Sequence, residues 1–445
     1  MAERGLEDVE VQNGSRSSPL TNMQRGPKLV DLEKQDAAGV VTKQLQQQQT
    51  PVSLTWSNLS VTVSGRAGAV LHGQRARLLH NSIASGRDVQ VLVEEGFSAK
   101  VAILNRPKKL NALTTKMVEK LRELYEKWEK DRHVRMVIIT GAGRGFCAGG
   151  DVATVYHLGK SGMKNEANDF FAKEYLLNYI LGTYKKIHVA LLNGIVMGGG
   201  NGISIHGKFR VATENTLFAM PETAIGLHPD VGASYFLSRL PGHLGEYLGL
   251  TGTRLNGAEM LSCGLATHFV PSQRLADLEE RLGSLNTSDA ETVGTAIDEF
   301  CDVVYPGEKS PLHWREAIDC CFQKENMEEI MHAVEAEAQQ SADEWYENTL
   351  NSLKKMSPIS LKVTLRSIRE GRQQSLHQCL EHEYRVSVNA VNAEVSTDFY
   401  EGCRAVLVDK DNTPKWDPPS LEEVTPEMVS QIFAPLGEGE ELQLP

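Results

Sequence analysis

Cysteine is scarce. Seven are spread over 445 residues, none in a C-x-x-C pair, so neither a disulfide framework nor a zinc ribbon is expected, and a reducing compartment is favoured. His377, Cys379 and His382 lie close in sequence but lack zinc-site spacing, and a structural cluster on a helix is the expected reading. Positive charge is also short, with 46 Lys and Arg against 58 Asp and Glu and a net charge of −12. Nucleic-acid backbones need clustered cations, so DNA is not the expected ligand. Long apolar runs are missing too. Residues 187–207 carry no formal charge, but six glycines, two asparagines and two histidines interrupt them, so a strand, a turn and a helix are expected there rather than a membrane span.

What is present divides along the chain. Residues 1–87 are rich in Ser, Gln, Gly and Val, and disorder is expected there. Within them, 65–87 holds four arginines and no acid, the composition of a mitochondrial presequence displaced from its usual N-terminal place. Residues 88–289 alternate strand-like and helix-like patterns, the mark of an α/β core. Strands are predicted over 89–93 and 99–104, around a turn at 94–96, and over 134–140, 189–197, 209–212 and 216–219. A helix is predicted over 114–131, because Met117, Leu121, Leu124 and Trp128 recur at helical steps. Residues 290–435 read as a helical region. From Asp411 onward there are eight acids and one lysine, and the acidic end at 436–445 is expected to be solvated.

Two glycine turns carry the chemistry, one at 146–151 (Phe-Cys-Ala-Gly-Gly-Asp) and one at 197–202 (Met-Gly-Gly-Gly-Asn-Gly). The earlier run Gly141-Ala142-Gly143-Arg144-Gly145-Phe146 begins like a dinucleotide fingerprint but puts Phe146 at the third glycine position, so no nicotinamide or flavin role follows. Glycine permits close backbone approach, and N–H groups at a helix start already favour negative charge. If a helix opens at Gly199 and runs to Ile205, the Gly199 amide and that of Gly150 are positioned to hold an oxyanion. Glu222, after Pro221 and among apolar neighbours, is a candidate proton-transfer carboxylate, because burial raises a carboxyl pKa. A loop carboxylate capping the next helix is the plainer alternative.

With Asn105-Arg106-Pro107 and Leu110-Asn111-Ala112-Leu113, these turns resemble the enoyl-CoA hydratase/isomerase (crotonase) superfamily. The stretch 209–232, then Leu250-Thr251-Gly252, Ala266-Thr267-His268 and 401–416 resemble its branch that hydrolyses 3-hydroxyisobutyryl-CoA. The resemblance implies a crotonase-like ββα spiral core with a helical C-terminal region. It implies an acyl-CoA thioester hydrolase of valine breakdown, in the mitochondrial matrix, with no metal or organic cofactor because CoA is part of the substrate. Gly150 and Gly199 match the oxyanion-hole amides, Glu222 the catalytic glutamate and Asp230 the aspartate near the substrate hydroxyl. Glu174 matches a substrate-pocket glutamate, with a solvated helix face as its alternative; Gly149 lies beside the substrate, and Lys108 is a candidate for CoA phosphate. Hydratases place a second glutamate where this chain has Gly202, which favours hydrolysis over hydration. The same branch includes non-enzymatic proteins of the mitochondrial ribosome, so a mitoribosomal role and an enoyl-CoA hydratase or isomerase are the competing readings. No membrane partner is expected, the final Gln443-Leu444-Pro445 is not a peroxisomal ending, and the helical extension is compatible with a homo-oligomer.

Overall fold

The computed structural model describes residues 89–96 and 98–445. The expectations for residues 1–87 lie outside that range.

Two sheets share the chain. The larger orders its strands β1 (Val91–Glu95), β2 (Ala99–Leu104), β3 (Met136–Gly141), β5 (Ile187–Leu192), β7 (Phe209–Ala212) and β10 (His268–Phe269). The smaller orders β4 (Gly145–Cys147), β6 (Ile195–Met197), β8 (Leu217–Ala219) and β9 (Leu255–Asn256). β1 pairs antiparallel with β2, and the rest of the larger sheet is parallel. Each turn of the chain lays one strand in the large sheet and the next in the small one, as β3 to β4, β5 to β6 and β7 to β8. That alternation is the spiral.

Strands buried on both faces read as continuous apolar runs, with alternate side chains going to opposite sides. In β3, Val137 and Ile139 enter the main core while Met136 and Ile138 enter a second, smaller one. β5 divides likewise, with Ala190 and Leu192 on one side and Val189 and Leu191 on the other. Helix α1 (Thr115–Lys130) covers the main-core side through Met117, Leu121, Tyr125 and Trp128, and the Thr114 side chain caps it by accepting from the Met117 N–H.

The predicted strand at 189–197 is instead two strands in different sheets, β5 and β6, broken at Asn193-Gly194. Gly194 has φ +113, and a Cβ there would meet the Arg144 carbonyl oxygen at 2.3 Å. No long apolar helix forms from 187–207, and no helix among the described residues is long and apolar enough to cross a membrane.

After Ala290 the described chain is helical. The helix Leu376–Asn392 starts with a capping box between Ser375 and Gln378 and packs along helix α3 (Lys164–Gly182), with the Tyr175 and Tyr384 rings edge to face at 6.1 Å. The acidic end is not simply solvated. Leu442 is buried, and Glu441 pairs with Arg385 at 2.8 Å, a partner too distant in sequence for local charge density to reveal.

Candidate active site

Parallel strands leave their C-terminal ends side by side, and ligand-binding loops collect there. In the small sheet Cys147 of β4 pairs with Val196 of β6, and Met197 of β6 with Ala219 of β8. The three segments that follow are therefore neighbours: Gly149-Gly150 leading to helix α2 (Val152–Lys160), Gly198-Gly199 opening helix α4 (Gly199–Gly202), and Pro221-Glu222. α4 is shorter than the expected run to Ile205; its last turn closes on Ile203.

Each segment is pinned. The Leu113 N–H donates to Gly149 O, the Asp151 N–H donates to Leu113 O, both at 2.8 Å, and Arg106 pairs with Asp151 at 3.0 Å. The Asn111 side chain donates to the carbonyls of Ala142 and Gly145. Asn201 donates to the Ala219 carbonyl at 3.1 Å, tying α4 to the strand that delivers Glu222. Gly149 and Gly198 take φ of +111 and +47, which L side chains rarely adopt. Among the described residues neither the Gly150 nor the Gly199 N–H donates to another protein group.

One cavity is lined by Gly149, Gly150, Gly199, Glu174, Glu222 and Asp230, with Val406 and Leu407 closing another side. Glu174, Glu222 and Asp230 are 2%, 6% and 5% exposed. A Cβ on Gly198 would lie 2.8 Å from Glu222 Oε1, and one on Gly199 would lie 2.2 Å from Glu174 Oε1 and 3.1 Å from the Gly150 nitrogen. The glycine backbones thus stand directly against the carboxyl groups. Burial, then Asp230, push the Glu222 and Glu174 carboxyls well above the usual range, with Glu174 adding to the shift on Glu222. Burial pushes Asp230 up to about 6, opposed by the Tyr175 hydroxyl, which donates to its Oδ2 at 2.6 Å.

Two supports for Asp230 have no local signature in the sequence. Tyr175 also contacts Ser387 at 2.7 Å, and Ser387 contacts His228 at 3.1 Å. Glu383, from the same helix as Ser387, accepts from the Gly232 and Ser234 N–H groups at 2.6 and 2.8 Å, fixing the turn just after Asp230. Glu174 sits in the cavity rather than on a solvated helix face. Lys108 is exposed on the 3-10 turn Pro107–Lys109, outside the cavity wall. At Gly202 a Cβ would meet Val231 Cβ at 2.6 Å and Asn178 Nδ2 at 2.7 Å, so there is no room for a side chain.

Two alternating sheets with glycine turns at the ends of the short strands define the fold, and the profile of the enoyl-CoA hydratase/isomerase family matches residues 99–433. The chain belongs to that family. Its similarity is high to 3-hydroxyisobutyryl-CoA hydrolase 1 of Arabidopsis thaliana, at 53% identity over 80% of this chain and 94% of that protein. The plant's 3-hydroxyisobutyryl-CoA hydrolase-like protein 1, mitochondrial, is 51% identical over 80% and 90% of the two chains. Its small ribosomal subunit protein mS47 is 50% identical over 85% and 94%. Among solved structures, a carnitinyl-CoA dehydratase from Mycobacterium thermoresistibile superposes with a TM-score of 0.72 at 40% identity, covering 80% of this chain and 99% of that one.

Proposed function

We propose that this chain hydrolyses 3-hydroxyisobutyryl-CoA to 3-hydroxyisobutyrate and CoA. The observation that carries the reading is the meeting of the Gly150 and Gly199 amides, which have no acceptor among the described residues, with the buried Glu222 in one cavity. The thioester oxygen lies between the amides, which strengthen their hold as it becomes an oxyanion. Glu222 either takes a proton from the attacking water or attacks the acyl carbon itself, and both routes need its carboxylate. In the first route the tetrahedral intermediate expels CoA thiolate, which recovers the proton from Glu222, and the acid product carries the oxygen of water. In the second, CoA leaves behind an acyl–Glu222 anhydride that water then hydrolyses, freeing the acid and restoring the carboxylate. Asp230 meets the substrate hydroxyl, Gly149 and Glu174 line the acyl pocket, and Lys108 meets a CoA phosphate outside it. No metal or organic cofactor takes part.

The absence of space at Gly202 favours hydrolysis over hydration, because the second carboxylate of a hydratase cannot be accommodated there. Relatives named as mitochondrial support a mitochondrial location, and the matrix and valine breakdown belong to the same proposal. Similarity to a ribosomal protein supports a second reading as a mitoribosomal component, against which stands the complete set of site residues. Free-thiol release from 3-hydroxyisobutyryl-CoA, other short 3-hydroxyacyl-CoAs and crotonyl-CoA tests the choice. Turnover highest on the first supports hydrolysis; no thiol release together with co-sedimentation with mitoribosomes reverses it.

A further inference from the structure

Glu174, Glu222 and Asp230 share a cavity whose wall, among the described residues, holds no Lys, Arg or His. Three buried carboxylates without a cation cannot all be ionised, because burial and like charge both favour the neutral form. Glu222 must be ionised when it acts as base or nucleophile, so the carboxyl that stays neutral through the reaction is Glu174; in the resting site the charge is best held by Asp230. It alone of the three receives a side-chain O–H, from Tyr175, backed by Ser387 and His228. Glu174 Oε1 and Glu222 Oε2 are buried with no partner among the described residues.

Glu174 has a distinct position. The point where a Gly199 Cβ would sit is 2.2 Å from Glu174 Oε1 and 3.1 Å from the Gly150 nitrogen, so this carboxyl stands beside the two amides. An ionised Glu174 would repel an oxyanion forming there, whereas a protonated one supplies a donor to it. Its titratable neighbours are Asp230, Glu222 and the Cys147 thiol, and ionisation of any of them makes its own ionisation harder.

We propose that Glu174 acts as a neutral carboxylic acid, a third hydrogen-bond donor beside the Gly150 and Gly199 amides. This role rests on the reading of the cavity as a thioester-cleaving site. Burial and the Asp230 charge, which push its carboxyl well above the usual range, act in the required direction.

Two measurements test it separately. Infrared spectra of the substrate-free protein at neutral pH should contain the carbonyl stretch of a protonated carboxylic acid that is lost in Glu174→Gln; an unchanged band overturns the protonation state whether or not the protein turns over. In thiol-release assays Glu174→Gln, which still carries a donor, should stay within about tenfold of wild type, while Glu174→Ala should fall by about 10²-fold or more. The wild-type rate should decline at alkaline pH and that decline should vanish in Glu174→Gln. Equal losses in Gln and Ala overturn the donor role. The Ala loss should persist on isobutyryl-CoA, which lacks the hydroxyl; a loss confined to the hydroxylated substrate overturns donation to the thioester oxygen. A wild type without thioesterase activity defeats the functional reading and this role with it, while the infrared band still reports the proton on Glu174.

Discussion

Replacing Gly199 with alanine places a methyl group at the most crowded point of the site. The new Cβ would lie 2.2 Å from Glu174 Oε1, 3.3 Å from Glu174 Cδ and 3.1 Å from the Gly150 nitrogen. Either Glu174 swings away or the Gly199 peptide shifts, although Asn201 anchors the same short helix to Ala219. A shift of the peptide removes one oxyanion donor, worth about 2.7–4 kcal/mol in the transition state and about 10²–10³-fold in kcat. Overpacking adds roughly 1–3 kcal/mol of lost stability, so the thermal midpoint must be measured alongside colorimetric CoA release. The reasoning fails if the folded Gly199→Ala protein keeps kcat within about fivefold of wild type, a difference of only about 1 kcal/mol.

Other expectations follow from the same geometry. Tyr175→Phe removes the hydrogen bond that opposes the upward shift of Asp230 to about 6, so the acidic limb of kcat/KM should move to higher pH; an unmoved limb would detach Asp230 from that limb. Glu383 is pushed by burial from 4.5 up to about 8. Because the folded protein binds this proton more tightly than the unfolded chain, its contribution to stability is full below 4.5 and lost as pH rises through about 8. The thermal midpoint should therefore fall across that window, less steeply in Glu383→Gln, and equal slopes would contradict the assignment. Gly202→Glu should cost roughly 1–3 kcal/mol in denaturant unfolding through its clash with Val231 and Asn178, without creating crotonyl-CoA hydration; a gain of hydration would show that the pocket can open there.

Much of this was legible in sequence because the signals are local. The apolar steps of Met117, Leu121, Leu124 and Trp128 predict α1 within a residue of its observed ends. The glycine turns and Pro221-Glu222 are contiguous motifs, and parallel pairing of the strands before them brings them together. What was illegible is long-range. The Asn193-Gly194 pair inside an otherwise apolar run does not by itself reveal that Leu192 and Ile195 belong to different sheets. Nothing near Asp230 announces Tyr175, 55 residues before it, or Ser387, which lies 212 residues after Tyr175 and acts through it. Val406 and Leu407 line the cavity from a wide helical turn, with no motif to mark them. The fate of the acidic end likewise depended on Arg385, 56 residues away.

CoA release from 3-hydroxyisobutyryl-CoA, compared between the purified wild type and Glu222→Gln at matched thermal midpoints, bears most directly on the account. The wild type should turn over, and the variant, isosteric but unable to hold negative charge, should lose about 10²–10⁴-fold in kcat. Equal turnover by the two proteins would contradict the central role given to the Glu222 carboxylate.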